Sequence, residues 1–210
     1  GETIDKIPIK KGVRQGCTLA PTLFLLYINQ CIPFLMDCQN DAPSLANDKI
    51  PALFFADDTL LVSKTQCGLQ IVLNRFSSFC DVFGLEMNHS KTKYMVMRNK
   101  GRTKGILKVG QITLEQVKEF DYLGLRFSAN DSWAPQVQKS ALLISQRGGA
   151  IRRFAKKAKY HPISPALEIY RAQAVSAATY GGELWGHSST KSLSVAENNF
   201  LRDLLSLNLN

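Results

Sequence analysis

Ile50-Pro51-Ala52-Leu53-Phe54-Phe55-Ala56-Asp57-Asp58-Thr59-Leu60-Leu61-Val62-Ser63 sets two acids between two apolar, β-compatible runs. Short apolar runs on either side of a polar dipeptide read as a hairpin with the acids at its tip. Adjacent carboxylates at the ends of buried strands repel each other and are poorly solvated, a cost that a divalent cation removes. Carboxylates so placed hold the Mg²⁺ ions of phosphoryl transfer, which activate an attacking hydroxyl and steady a leaving pyrophosphate. Successive strand residues point to opposite faces, so Asp57 and Asp58 converge on one site only where the turn redirects one of them. An Asp-Asp dipeptide also serves as an ordinary polar turn, so the surroundings have to decide.

Upstream, residues 12–17 read GVRQGC and lead into Thr18-Leu19-Ala20-Pro21, after which Leu23, Phe24, Tyr27, Ile28 and Cys31 recur at helical spacing. This is a glycine-rich loop feeding a helix, with Thr18 as N-cap and Pro21 in the first turn. The polar stretch at 37–49 reads as a loop. Downstream, Leu69, Val72, Leu73, Phe76, Phe79, Cys80 and Phe83 form a stripe of helical period that ends at Gly84, where a C-terminal glycine belongs. Residues 94–97, 106–109, 112–114 and 122–127 are short strand candidates, the second and third pairing across Gly110-Gln111. After Asn130 the texture becomes helical, over 132–159, 164–185 and 188–207. The expectation is a mixed α/β domain over residues 1–130 and a helical domain over 131–210.

With 45% hydrophobic and 20% charged residues among 210, wholesale disorder is excluded. The longest apolar runs, Leu23 to Ile28 and Ala52 to Ala56, fall far short of the roughly 18 to 20 residues of a spanning helix. The opening residues lack the basic and apolar segments of a signal peptide. A soluble protein that is not secreted and does not engage a membrane is expected. Five cysteines without a CxxC pair or a His partner at zinc spacing fit a reduced intracellular compartment, nuclear or cytoplasmic. The chain opens within a strand-like run (Ile4, Ile7, Ile9), which suggests a fragment. Net charge is +9, and between Lys91 and Tyr160 there are 16 Lys or Arg against Glu115, Glu119, Asp121 and Asp131. Such a stretch either releases counterions from a phosphate backbone or is a lysine-rich solvated surface.

Taken together, GVRQGCTLAPTLFLLYI resembles motif B of reverse transcriptases, FFADDTLLV motif C in its FADD form, FGLEMNHSKTK motif D and FDYLGLRFS motif E. Their order and spacing are similar to the non-LTR (LINE-type) retrotransposon branch from about residue 8 to about residue 130. The helical remainder, including Tyr180-Gly181-Gly182-Glu183-Leu184-Trp185-Gly186, is less specifically similar to the region after the palm. The resemblance implies an α+β fold: a partial palm of antiparallel sheet with packed helices, then an all-helical, thumb-like region. It implies Asp57 as a Mg²⁺ ligand and Asp58 as an assisting carboxylate beside the primer end. Arg14, Gln15 and Gly16 would lie against template and incoming nucleotide, where glycine permits close backbone approach. Lys91, three residues after Asn88, would sit near the triphosphate and donate a proton to pyrophosphate or offset its charge. Taken alone, it also reads as an exposed lysine beside a turn. Tyr122, Leu123 and Gly124 would form the primer grip. Arg147, Arg152, Arg153, Lys156, Lys157 and Lys159 would lay a thumb against the sugar-phosphate backbone, although a solvated helix face has the same pattern. His89, His161 and His187 lack companion ligands, and Trp133 and Trp185 read as core anchors.

The family's two-metal site takes a further aspartate from motif A, on a strand before motif B. Only eleven residues precede Gly12; they resemble the strand leading into motif B, so their acids, Glu2 and Asp5, are not expected to substitute. By the resemblance, the fingers, which bind the triphosphate, are expected to lie outside this sequence as well. The expected function is a fragment of an RNA-directed DNA polymerase whose complete form uses an RNA template, a DNA primer, deoxynucleoside triphosphates and Mg²⁺. By itself the chain is expected to be inactive and to bind Mg²⁺ poorly. A non-catalytic RNA- or DNA-binding remnant and an inert retroelement fossil are the alternatives. Oligomeric state is not legible.

Overall fold

The computed structural model describes Gly12, Arg14 and residues 16–97, 105–157 and 163–206. The strand-like run through Ile9, Gln15, Lys159 and His161 lies outside the described residues. In chain order the elements are α1 (Ala20–Ile28), α2 (Cys31–Met36), β1 (Ser44–Leu45), β2 (Asp48–Lys49), β3 (Ala52–Phe55), β4 (Asp58–Leu61), α3 (Gln66–Phe83), β5 (Lys93–Tyr94), β6 (Lys108–Val109), β7 (Ile112–Thr113), β8 (Glu115–Gln116), β9 (Glu119–Tyr122), β10 (Leu125–Ser128), α4 (Ala134–Lys157), α5 (Ile163–Ile169), α6 (Ser176–Ala178), α7 (Gly182–Trp185) and α8 (Lys191–Ser206). β1 with β2, β3 with β4, β6 with β7 and β9 with β10 pair as antiparallel ribbons. Helices and small antiparallel ribbons together make the fold α+β. Among the described residues no helix is long and apolar enough to cross a membrane. The chain divides into two compact units, Gly1–Thr92 with Lys104–Glu115 and Lys93–Thr103 with Gln116–Asn210. The change of texture near residue 130 falls within the second, between β10 and α4.

In the first unit α3 follows its sequence pattern closely. Thr65 caps it by accepting the Gly68 N–H at 3.0 Å. Gly84 ends it at φ 65°, and the Leu85 N–H reaches back to the Cys80 carbonyl at 2.8 Å. Its apolar stripe buries Val72, Phe76, Phe79 and Cys80 against Cys31 and Leu35 of α2. Phe79 stacks on Phe83 with ring centroids 4.4 Å apart and meets Phe34 edge-on at 5.4 Å. Burial pushes the Cys31 thiol up to about 12, with Cys80 adding to it, and burial with Asp81 pushes Cys80 up to about 11. Both therefore stay protonated and behave as small core hydrophobes. All five cysteines are free.

Two expectations are corrected in this unit. Thr18 does not cap α1: Leu19 precedes the helix in the right-handed region with no side-chain cap. Turns closed by the Cys17 N–H on Arg14 O and the Ala20 N–H on Cys17 O, both 3.2 Å, bring the chain into the helix already coiled. The polar stretch at 37–49 is not wholly loop, since it contains a 3-10 turn, Gln39–Asp41, and the β1–β2 ribbon. Asp41 anchors it, its carbonyl taking the Lys64 N–H at 2.7 Å and its carboxylate the Thr65 hydroxyl. A β-carbon on Gly68 would meet Asp41 Cβ at 2.5 Å, so this contact requires glycine in the first turn of α3.

The second unit packs α4 against α8 and the α5 to α6 segment, burying Ile144, Ile151, Tyr170, Ala174, Phe200 and Leu204. Tyr170 stacks on Phe200 at 4.0 Å, with the planes 11° apart. The helical segment expected over 164–185, punctuated by Gly181 and Gly182, is broken twice. Residues Tyr170–Val175 widen into a π-helical turn between α5 and α6, and Gly181 at φ 65° separates α6 from α7. The strand expected over 122–127 is in fact a tight hairpin, because Leu123 (φ 47°) and Gly124 (φ 83°) both take left-handed backbone and reverse the chain. Trp185 is buried with Leu125 and Val137, and Trp133 packs on Phe127 at 5.4 Å.

Candidate functional site

The β3–β4 hairpin pairs Phe55 with Asp58, leaving Ala56 and Asp57 as a two-residue turn. Directly paired residues share a face. Ala52, Phe54 and Leu61 therefore turn to α3, where Phe54 lies 6.3 Å from Phe76. Leu53, Phe55, Leu60 and Asp58 occupy the other face, and Phe55 is 62% exposed there. Ala56 adopts φ 51°, a left-handed backbone costing a non-glycine residue about 1–2 kcal/mol. That turn places Asp57 in the loop and Asp58 at the start of β4. Both carboxylates are exposed, and neither has a hydrogen bond or ion pair among the described residues.

Among the described residues no group of three His, Cys, Asp or Glu side chains that could hold a metal ion is formed. Asp57 and Asp58 thus do not make a closed metal site with other described residues.

The remaining site residues are presented by turns. Gly16 takes φ 83° with open space where a β-carbon would be, so left-handed backbone rather than crowding calls for glycine. Arg14 is exposed, and no hydrogen bond or ion pair joins Arg14 or Gly16 to Asp57 or Asp58 among the described residues. Lys91 sits on a turn built by Asn88, whose side-chain Oδ1 accepts the Lys91 N–H at 3.1 Å and the Ser90 hydroxyl at 2.8 Å. The Lys91 ammonium is exposed and without an ion-pair partner among the described residues.

Tyr122, Leu123 and Gly124 form the tip of the β9–β10 hairpin, which α4 fastens at two points. Gln136, buried, accepts the Arg126 N–H at 2.7 Å and is itself oriented by Ser140. Lys139 Nζ donates to the Gly124 carbonyl at 2.8 Å and to Asp121 at 3.0 Å. Asp121 also takes a bidentate pair from Arg126, at 3.0 and 2.9 Å.

Of the basic residues on α4, two are engaged within the unit. Arg147 donates to the Gln173 carbonyl, and Arg152 pairs with Asp203 at 3.0 Å. Arg153, Lys156 and Lys157 are exposed with no ion-pair partner among the described residues.

A profile of the family described as reverse transcriptase (RNA-dependent DNA polymerase) matches residues 1–127, the span that carries both hairpins. The chain belongs to the reverse transcriptase family. It is 27% identical over 191 residues to a retrovirus-related Pol polyprotein from type-1 retrotransposable element R2 of Popillia japonica, covering 86% of this chain and 25% of that protein. It is 26% identical over 174 residues to the Pol polyprotein of type-2 retrotransposable element R2DM of Drosophila melanogaster, covering 73% and 16%. To the probable RNA-directed DNA polymerase from transposon X-element of the same fly it is 23% identical over 184 residues, covering 85% and 19%. The reverse transcriptase chain thus spans a quarter or less of the length of these relatives. No solved structure matches it significantly.

The roles of Gln136 and Lys139 are not legible in the sequence of this reverse transcriptase chain, because their partners depend on the hidden turn at 123–124. Once that turn is known, Asp121 and Arg126 fall directly opposite each other as a cross-strand pair of unlike charge. The Arg126 hydrogen bonds are the main cause, and Lys139 a further one, that hold the Asp121 carboxyl down at about 2. A depressed carboxyl contributes stability that is present above the ordinary value near 4 and lost as pH falls towards 2. Asp121 is nearly half exposed, so its pairs are each worth under about 1 kcal/mol. We predict that Asp121→Asn slightly lowers stability at neutral pH and flattens the acid limb between about pH 4 and 2. Tryptophan-monitored unfolding against pH tests this; equal acid loss in both proteins would remove Asp121 from the account.

Proposed function

We propose that this chain is the palm, from motif B onward, and the adjoining thumb-like region of an RNA-directed DNA polymerase from a non-LTR retroelement. Residues 1–130 correspond to the palm part and 131–210 to the helical part. The observation that carries the reading is the pair of exposed, unpartnered carboxylates at the strained β3–β4 turn, within the span that matches the family. In the complete enzyme Asp57 and Asp58 belong to the carboxylate set that holds Mg²⁺, completed by an acid from outside the described residues. Arg14, Gln15 and Gly16 border template and nucleotide, Lys91 faces the triphosphate, and Tyr122, Leu123 and Gly124 position the primer. Exposed apolar side chains at the entry to and along α1 and on β3 (Leu19, Leu23, Leu25, Leu26, Leu53 and Phe55) support the view that further polypeptide covers this unit.

A second reading, a nucleic-acid-binding module without chemistry, is favoured by the unpaired Arg153, Lys156 and Lys157 on α4. Lys159 lies outside the described residues, and Arg147 and Arg152 contribute less because they already have protein partners. The deciding experiment is primer extension on an RNA template with Mg²⁺ and deoxynucleotides. A polypeptide in which this chain is joined to its own upstream coding sequence should make product. The 210-residue chain alone should bind duplex and make none. Binding by both without product from either would favour the second reading.

A further inference from the structure

The segment from Tyr180 to Gly186 lies in the thumb-like part without a role for any of its side chains so far, yet it is firmly built against the β9–β10 tip. Trp185, only 2% exposed, donates its indole N–H to the Tyr180 carbonyl at 3.0 Å. Gly181 packs so closely on Leu125 that a β-carbon there would come within 2.7 Å of Leu125 Cδ2. One edge of the Tyr180 ring lies over Gly124, where a β-carbon would meet Cε1 at 3.2 Å and Cδ1 at 3.6 Å. The ring is thus held in place from one side, and it is nevertheless 56% exposed. Its hydroxyl makes no hydrogen bond among the described residues. Gly124 lies against the ring, Gly181 and Gly182 follow it in the chain, and Gly182 has open space where a side chain would stand, so no side chain from these positions bars a flat ligand.

We propose that Tyr180 is a stacking platform for a nucleobase of a bound RNA or DNA strand, set beside the Leu123-Gly124 tip. This inference rests on the nucleic-acid reading of the chain. A ring pre-oriented by backbone contacts loses little freedom on binding, and every base presents a π-face to it whatever the sequence. The occupant is chosen by charge: the stretch from Lys91 to Tyr160 holds 16 basic residues against four acids, and Arg153, Lys156 and Lys157 on the same unit are unpaired. A polyanion with flat apolar faces suits both features, whereas an apolar protein surface suits only the ring.

The test uses the 210-residue chain and a fluorescein-labelled RNA–DNA duplex with a single-stranded extension containing 5-iodouridine. Tyr180→Ala should weaken binding roughly 5- to 150-fold, the range that base–aromatic stacking carries. Tyr180→Phe should bind as wild type, and irradiation of the wild-type complex should leave an adduct on the peptide containing Tyr180. The adduct is read on unaltered protein, so it is decisive even where Tyr180→Ala is poorly folded. Strong wild-type binding that Arg153→Glu with Lys156→Glu abolishes, but that Tyr180→Ala leaves unchanged without an adduct, overturns the platform and leaves the nucleic-acid reading standing. Equal losses in Tyr180→Phe and Tyr180→Ala overturn stacking too. No binding by the wild-type chain overturns both.

Discussion

Asp57→Asn, in a polypeptide that extends a primer on RNA, should lower the single-turnover incorporation rate by at least roughly 100- to 1000-fold, the scale of losing one main electrostatic contributor to a transition state. The substitution keeps the size and turn-forming capacity of the side chain, since Asn suits a two-residue turn as well as Asp. Asp57 makes no hydrogen bond or ion pair among the described residues, so the fold does not use its charge, and stability should shift by no more than about 0.5 kcal/mol. Template–primer affinity should also persist, because phosphate contacts come from basic side chains elsewhere. Chemistry is then the quantity that moves. Asp58→Asn should reduce the rate less, as befits an assisting carboxylate, despite its place in β4 opposite Phe55. A rate within a few fold of wild type in Asp57→Asn, with folding intact, would take Asp57 out of the reacting centre.

What could be read from the linear chain was whatever depended on local pattern. The helix from Thr65 to Gly84 follows from one apolar stripe with a capping hydroxyl and a terminal glycine, and the structure has it at Gln66–Phe83. The hairpins at 52–61 and 108–113 follow from apolar runs around turn residues. Residues 122–127 read as a single strand because the first turn position is Leu123, a side chain that ordinarily avoids left-handed backbone. Only its surroundings, with Lys139 gripping the Gly124 carbonyl and Tyr180 over Gly124, make that conformation tolerable. Within 164–185 the glycines at 181 and 182 mark one break in the sequence, but the π-helical turn is hidden: the run from Ala172 to Ala178 is rich in good helix formers, and the turn departs from local preference. The candidate carboxylates were legible because two acids interrupt an apolar stretch. The exposure and orientation of Tyr180 are not legible in the sequence, because they depend on Gly124, 56 positions away.

The close approach of α4 and α8 makes a second large effect calculable. Phe200 is 5% exposed and lies between the Tyr170 ring and the backbone of α4 at Gly148. Phe200→Ala should destabilise the second unit by about 3–5 kcal/mol, through lost burial and the cavity left behind. Gly148 then offers a sign test. On helix propensity alone Gly148→Ala should stabilise α4 by about 1 kcal/mol. In the wild-type background a new β-carbon would meet Phe200 Cδ2 at 2.8 Å and Cγ at 3.3 Å, and overpacking of that kind costs about 1–3 kcal/mol. The net effect is therefore neutral to destabilising. With Phe200→Ala already present the clash is gone and the cavity accepts the methyl group, so the same Gly148→Ala change should stabilise by about 1 kcal/mol or more. Both tryptophans, Trp133 and Trp185, lie in the second unit, so their fluorescence in a urea titration reports its unfolding selectively. A double-mutant cycle showing the two changes additive would mean that α4 and α8 are not held at this spacing by the Gly148–Phe200 contact. Reversal of sign between backgrounds would identify a mid-helix glycine whose local cost is offset by the ring it admits.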